Sequence, residues 1–372
     1  MITMKCEVEF LAVGEGSRPG DAIIVRYGDL NSYELMIVDG GNAETGELIV
    51  SHLQKYFPGR PVSNVLLTHS DIDHASGLRT VTEKLDVRNV WLHAPWLVAN
   101  GAKHLFQDPR WTDEGLSKAI LNEYDVIKQI VVNCFSRNIP VNTPFQGYAV
   151  GPFRVLSPSA NAYLHLVPQF DKTPPPNQDA IAATVYWIGK ETAIGRLVAS
   201  LQAKVASWIP EAWGVEALRN DGVTSASNES SVVLYGQFDE TGNVLLTGDA
   251  GIRALTWAAD YAELHGLPLR AFKLVQIPHH GSRRNVGPAI LNRLIGEPVS
   301  YGSTPSLRAY VSAPKDDETH PRKIVLNAFT RRGADVFATQ GQSIINYGGF
   351  PARPDYVSIT PMPFWNTVEA YT

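Results

Sequence analysis

Residues 68–77, THSDIDHASG, constrain this chain more than any other stretch, and they follow the apolar run NVLL at 64–67. His69, Asp71, Asp73 and His74 fall on one tight loop. A short apolar run of this kind reads as a buried strand. Charged groups leaving a strand end cost desolvation free energy unless they are paired or hold a cation. Carboxylate oxygens and imidazole nitrogens are the donors that divalent cations of hard or borderline character take. A lone His-x-Asp would read as a hydrogen-bonded surface or capping pair. Four ligand-type residues in so few positions read as a metal-binding loop.

The pattern around the loop says how it is delivered. EVEFLAV (7–13) and DAIIVRY (21–27) are β-rich runs on either side of the turn GEGSRPG, and LMIVDGG (35–41) is an apolar run ending in Asp-Gly-Gly. Leu48, Leu53 and Phe57 have helical spacing within 44–57, and VRNVWLHAP (87–95) reads as a further strand. This alternation predicts an α/β layered fold with the loop at a strand's C-terminal end. Further along, 113–138 reads as helix and 151–159 as strand then turn. DKTPPPNQDA (171–180) is a proline-rich loop, and 192–218 reads as helical with a break at Pro210. Much of 160–225 is expected to be an insertion or cap.

Strand signals return at SSVVLYGQF (230–238), NVLLTGD (243–249), FKLVQIPHHGS (272–282) and SLRAYVSAP (306–314). Three strand ends thus carry acids or histidines: LLTHSDIDH, LLTGDA and IPHHGS. Alone, Asp249 would read as a turn aspartate and His279-His280 as a solvated turn. Beside the first loop, Asp249 offers a carboxylate able to bridge two cations. His280, immediately before the glycine, is expected to point back as a ligand. His279 is then expected to touch substrate or support a ligand. His69, Asp71, Asp73, His74, Asp249 and His280 suffice for two metals about 3.5–4 Å apart with positions left for water. His52, His93, His104, His165 and His265 have no such company and read as structural or surface residues.

At 44% hydrophobic and 19% charged residues, the chain has the composition of an ordinary globular protein able to bury a large core. A net charge of −5 argues against a protein-wide grip on nucleic acid, though not against a local basic groove. MITMKCEVEF has no basic-then-apolar export pattern, and no apolar run approaches a membrane span. Cys6 and Cys134 form no CxxC and suit a reducing compartment. A cytoplasmic protein with no membrane association is the expectation.

In this order, the residues resemble the metallo-β-lactamase superfamily: the His-x-[His/Asp]-x-Asp-His motif (69–74), a later Asp249 and a final His280. The finer details are similar to one branch, the hydrolase domain at the C-terminal end of the DNA-uptake protein ComEC and its stand-alone relatives. AVGEGSRPGDAIIVRY resembles that branch's Val-Gly-x-Gly-Asp opening, with a few extra residues before Asp21. MIVDGGN resembles its Ile-Asp-Gly-Gly turn, and IPHHGSRRN and THPRKIVLNAF (319–329) also have counterparts. The resemblance covers about 1–95, 145–160 and 228–347. It implies a four-layer αββα sandwich, with a hydrolase domain over 1–350 and a C-terminal tail over 351–372. One departure concerns the histidine that many members carry before the strand preceding the bridging aspartate. Here that stretch is SASNESSVVLY (225–235), and Asn228 or a nearby serine fills the space. The resemblance then implies one metal on His69, Asp71 and Asp249, and another on Asp73, His74, Asp249 and His280. The first is oxygen-rich, so Mn2+ becomes plausible beside Zn2+.

Two cations lower the pKa of a bound water and clamp attacking and leaving oxygens. That suits a phosphodiester, whose transition state gathers charge on non-bridging oxygens. The expected activity is a phosphodiesterase using a metal-bound hydroxide, its substrate single-stranded nucleic acid, a nucleotide or another small phosphodiester. Asp73 is expected to orient the hydroxide, and His279 or His320 to protonate or neutralise the leaving oxygen. His320, before Pro321, reads equally as a cap. Arg283 and Arg284 are candidates for a second phosphate, and equally a solvated pair. Asn228, Ser282 and Lys315 are weaker candidates for substrate contact. An acyl hydrolase acting on a lactone or β-lactam is the alternative, disfavoured by the absent histidine and export signal. A non-catalytic module that keeps its metal for structure is less favoured, because structural sites are usually closed.

Overall fold

The structure, a computed structural model, describes residues 4–13, 19–188 and 208–371. Two seven-stranded sheets dominate it. The first runs in the order Ile344–Asn346, Lys5–Phe10, Ile23–Gly28, Tyr33–Val38, Asn64–Leu66, Val90–Trp91, Val141–Asn142. The second runs Ala334–Ala338, Leu307–Val311, Phe272–Gln276, Gly242–Leu246, Val233–Phe238, Phe153–Ser157, Ala149–Val150. Each sheet is antiparallel on one side and parallel on the other.

The strands read as continuous apolar runs because both faces are buried. Successive side chains of a strand point to opposite faces. Accordingly Ile23, Val25, Met36, Val38, Leu66, Val244, Leu246 and Leu274 meet between the sheets. Ile24, Leu35, Ile37, Val65 and Leu67 face the helices Ala43–Tyr56, Leu78–Lys84 and Asp125–Ser136. Leu245, Val275, Ala309 and Val311 face Ile252–Leu264, Pro288–Ile295 and Lys323–Arg331. Three apolar layers between four structural layers make the expected αββα sandwich.

Several local expectations change. The helix expected over 113–138 is two, Asp113–Glu123 and Asp125–Ser136, broken at Tyr124 with φ −113° and ψ 50°. Of the helix expected over 192–218, residues 192–207 lie outside the described residues, as do 14–18 of the opening turn. The remainder is not helical. Trp208–Pro210 is a strand paired antiparallel with Thr367–Glu369. Pro210 has no N–H for a helix and biases the residue before it toward extended backbone. After it, the buried Arg331 donates to the carbonyls of Ala212 and Trp213 at 2.8 and 2.7 Å, which holds this stretch as a loop.

The C-terminal stretch folds back over the domain. Arg353 pairs with Glu9 at 2.7 Å and with Glu7, two acids on the first sheet's outer face. The Glu369 carboxylate accepts from the amides of Lys323 and Ile324 at 3.0 and 3.3 Å. It thereby satisfies orphan donors at the start of the last helix. Among the described residues, no helix is long and apolar enough to cross a membrane. Cys6 and Cys134 are free and buried.

Candidate metal centre

Parallel strands of both sheets end at one edge, and the sequence-predicted ligands leave from those ends. His69, Asp71, Asp73 and His74 follow Asn64–Leu66, Asp249 follows Gly242–Leu246, and His279 and His280 follow Phe272–Gln276. Two acids not assigned to the site from sequence join them. Asp21 precedes Ile23–Gly28, and Asp39 follows Tyr33–Val38 with a left-handed φ of 60°. The loop carrying Asp71–His74 closes on the Asp-Gly-Gly turn. Gly40 N donates to His74 O at 2.7 Å, and a Cβ on Gly77 would lie 2.0 Å from Gly40 O. Glycine is therefore required at 77 for lack of space.

The hydrogen bonds fix how each histidine is presented. His74 Nδ1 lies 2.7 Å from Asp39 Oδ2, which can only accept. Thr68 Oγ1 donates to the same Asp39 Oδ2 at 2.7 Å, so it accepts from His69 Nδ1 at 3.1 Å. His280 Nδ1 lies 3.1 Å from the carbonyl of Ser312. In all three rings the hydrogen is on Nδ1 and Nε2 faces inward. Those three Nε2 atoms and Asp249 Oδ1 are buried with no hydrogen-bond partner. Buried polar atoms are rarely left so without a ligand to meet them.

The spacing fits a cation. A tetrahedral ion with bonds of about 2.0–2.2 Å holds its ligands about 3.3–3.6 Å apart, beyond good hydrogen-bond length. His69 Nε2 is 3.6 Å from Asp71 Oδ2 and 3.7 Å from Asp249 Oδ2. His74 Nε2 is 3.3 Å from Asp249 Oδ1 and 3.9 Å from Asp73 Oδ2, which is 3.6 Å from His280 Nε2. Donor atoms of His69, His74 and Asp249 lie within 4.8 Å of one another, as do those of Asp73, His74 and His280. Asp21, Asp39 and His74 form a third such group behind the first two.

The electrostatics point the same way. Burial works against charge on His74, yet Asp249, Asp39 and Asp73 outweigh it and hold its pKa well above the ordinary value. His280 is raised to about 9, burial being outweighed by Asp249, Asp73 and Asp21. Burial opposes ionisation of Asp249 too, but His279, His74 and His280 keep it well below the usual carboxylate range. A pocket that draws positive charge so strongly takes up protons, or exchanges them for a cation.

The remaining predicted residues lie around this cluster. The His279 side chain is 30% exposed, with Nε2 3.6 Å from Asp249 Oδ2. His320 stands beyond it, the two rings near-parallel with centroids 6.3 Å apart. Asn228 is buried, its amide nitrogen 3.0 Å from His279 Nδ1. Ser282 is buried. Arg283 is turned toward the C-terminal stretch, donating to Ala370 O at 2.5 Å and lying over the Tyr371 ring. Arg284 and Lys315 are exposed. Ser227 donates to Asp71 Oδ1 at 2.5 Å, leaving Oδ2 for His69.

The metallo-beta-lactamase superfamily model matches residues 16–136. No curated protein matches in sequence. Among solved structures, the chain is similar to the metallo-beta-lactamase fold protein YhfI from Bacillus subtilis (11% identity, 92% of this chain and 100% of that chain, TM-score 0.38). It is also similar to unliganded yeast PDE1 (13% identity, 91% and 97%, TM-score 0.38). The metallo-beta-lactamase SMB-1 bound to 2-mercaptoethanesulfonate is a third (11% identity, 73% and 83%, TM-score 0.30). The matched segment carries Asp21, Asp39 and the whole His69–His74 run, so this part of the site lies within the stretch that is similar to the metallo-beta-lactamase superfamily.

Proposed function

We propose that this chain is a phosphodiesterase working with two divalent cations, Zn2+ or Mn2+. The observation that carries the reading is Asp249. Its Oδ2 faces His69 and its Oδ1 faces His74, so the two oxygens of one carboxylate are turned to different imidazoles, which supports a bridging role. His69, Asp71 and Asp249 would hold one ion; Asp73, His74, Asp249 and His280 would hold the other. Together the ions would supply an activated water and positive charge for the non-bridging phosphate oxygens.

The chain's own residues do the rest. The His69, His74 and Asp249 side chains are 0–3% exposed, whereas those of Asp73 and Asp71 are 26% and 42% exposed. The cluster is thus sealed behind and open in front, unlike a closed structural site. On the open side, Asp73 would orient the nucleophile. His320 Nδ1 lies 3.2 Å from Asp317 Oδ2, and burial pushes the ring down to about 4. It is neutral near pH 7 and so has no proton on hand to deliver to the leaving oxygen. The acid role expected for it from sequence is not part of this reading. Arg284, exposed beside the His-His-Gly turn, is the better placed of the two arginines for a flanking phosphate, since Arg283 is already engaged.

The test is a substrate panel with each metal: a bis-aryl phosphate, single-stranded DNA, a phosphorylcholine ester and a lactone. Phosphodiester hydrolysis should appear and fall roughly a hundredfold or more in Asp73→Ala and His280→Ala. Lactone turnover without phosphodiester turnover would refute the reading, as would activity surviving both substitutions.

A further inference from the structure

We propose that a surface track running from Arg284 past Tyr371 to Trp208 holds single-stranded nucleic acid and leads it to the metal centre. The inference rests on the phosphodiesterase reading above and names the substrate it would serve. In a chain of net charge −5, such a track requires positive charge to be gathered locally.

The first argument is that it is gathered. Arg283 and Arg284 leave the turn that carries His280. Arg322 N donates to Gly281 O at 3.1 Å, so the start of the last helix joins the same turn. A Cβ on Gly222 would lie 2.7 Å from Arg284 O, so the segment carrying Arg219 packs on the one carrying Arg284. Among the described residues, Arg219, Arg283, Arg284, Arg322 and Lys323 form no ion pair, whereas Arg293 pairs with Asp260 and Arg332 with Glu216. Of the acids close by, Glu369 is engaged with the amides of Lys323 and Ile324, and Asp221 is exposed. Burial and then Arg322 pull the Arg283 pKa below its ordinary value, with Arg284 adding to them against Tyr371 and Glu369. Positive charge is crowded here rather than neutralised.

The second argument is the aromatic rings set among these cations. The Arg219 and Arg283 guanidinium carbons lie 4.4 and 4.6 Å from the centroid of the Tyr371 ring. Tyr371 OH accepts from Arg219 N at 3.0 Å, which holds the ring in place. Stacking engages a guanidinium's face and leaves its N–H edge for phosphate. Two residues back along the C-terminal stretch, Glu369 pairs with Trp208. Lys323 Nζ lies 4.6 Å from the centroid of the Trp208 ring, and Trp208 is 52% exposed. Cations for the backbone beside rings on which bases stack suit a single strand. A duplex keeps its base faces stacked inside, and an acidic peptide has none to offer.

The experiment is fluorescence anisotropy of a labelled oligothymidylate of about fifteen nucleotides, with phosphorothioate linkages to resist cleavage, added to the metal-loaded full chain. An unlabelled strand, a duplex of the same length and polyglutamate are the competitors. Thermal unfolding checks that each variant is folded. The parent should bind, and its affinity should fall at least tenfold between about 50 and about 200 mM salt. Arg219→Glu and Trp208→Ala should each weaken binding about fivefold or more. Parental affinity in the folded variants would overturn the proposal. So would a parent that does not bind, or a duplex or polyglutamate that competes as well as the unlabelled strand; these readouts need no variant. Binding does not require turnover. A parent that holds the strand but cleaves no phosphodiester would refute only the function proposed above. One that hydrolyses a bis-aryl phosphate without binding the strand would refute only the track.

Discussion

Asp39 Oδ2 lies 2.7 Å from His74 Nδ1 and 2.7 Å from Thr68 Oγ1, which in turn accepts from His69. One oxygen therefore fixes the tautomer of a donor in each half of the centre. Asp39→Asn isolates this role, because asparagine tolerates the left-handed φ of 60°. Its amide would present N–H to His74 Nδ1, moving the ring hydrogen to Nε2. Metal affinity should drop about 10–100-fold. Competitive titration with a chromophoric chelator would show it; unchanged affinity would mean that Asp39 does not set the tautomers.

In the proposed centre Asp71 would make the first position oxygen-rich; its Oδ2 is 3.6 Å from His69 Nε2. Replacing it with an imidazole should favour zinc over manganese, because nitrogen donors suit zinc and carboxylates suit manganese. Asp71→His is expected to raise the Zn2+/Mn2+ affinity ratio about tenfold. Competition between the two ions, read by elemental analysis of the bound metal, measures it. An unchanged or lowered ratio would remove Asp71 from the ligand set.

His93 offers a test of stability. Neither ring nitrogen has a hydrogen-bond partner among the described residues, and the ring stacks on Tyr163 with centroids 4.3 Å apart. Burial pushes its pKa down to about 3. Unfolded, the ring titrates near 6.5. Its contribution is complete above that pH and is lost as pH falls from about 6.5 toward about 3, where only the unfolded chain takes the proton. The loss should be about 2 kcal/mol between pH 7 and pH 5. Urea unfolding of the parent and of His93→Phe at both pH values checks this. The variant should lose less stability on acidification; equal losses would show that His93 does not drive the effect.

Much of this was legible because ligand-type residues on apolar strand ends are conspicuous. LLTHSDIDH, LLTGDA and IPHHGS mark three strand ends that the fold brings to one edge. The same rule, applied to LMIVDGG, would have found Asp39; the two glycines made the aspartate read as part of a turn. The approach of His279 to Asp249 was not legible, because only the left-handed backbone and the Asn285 amide turn its Nε2 that way. The pairing of Trp208–Pro210 with Thr367–Glu369 joins segments far apart in sequence, and neither run announces its partner. The helical pattern across 113–138 gave no sign of the break at Tyr124, where φ and ψ leave the helical range for one residue.

The central claim is that Asp249 joins two cations into one phosphodiesterase centre. Its most direct test is to titrate metal-stripped protein with Mn2+ or Zn2+ while following hydrolysis of a bis-aryl phosphate. The account predicts activity that climbs to its plateau at two equivalents per chain and is abolished in Asp249→Asn. Full activity at one equivalent, activity in the chelated protein, or no phosphodiester hydrolysis with two ions bound would contradict it.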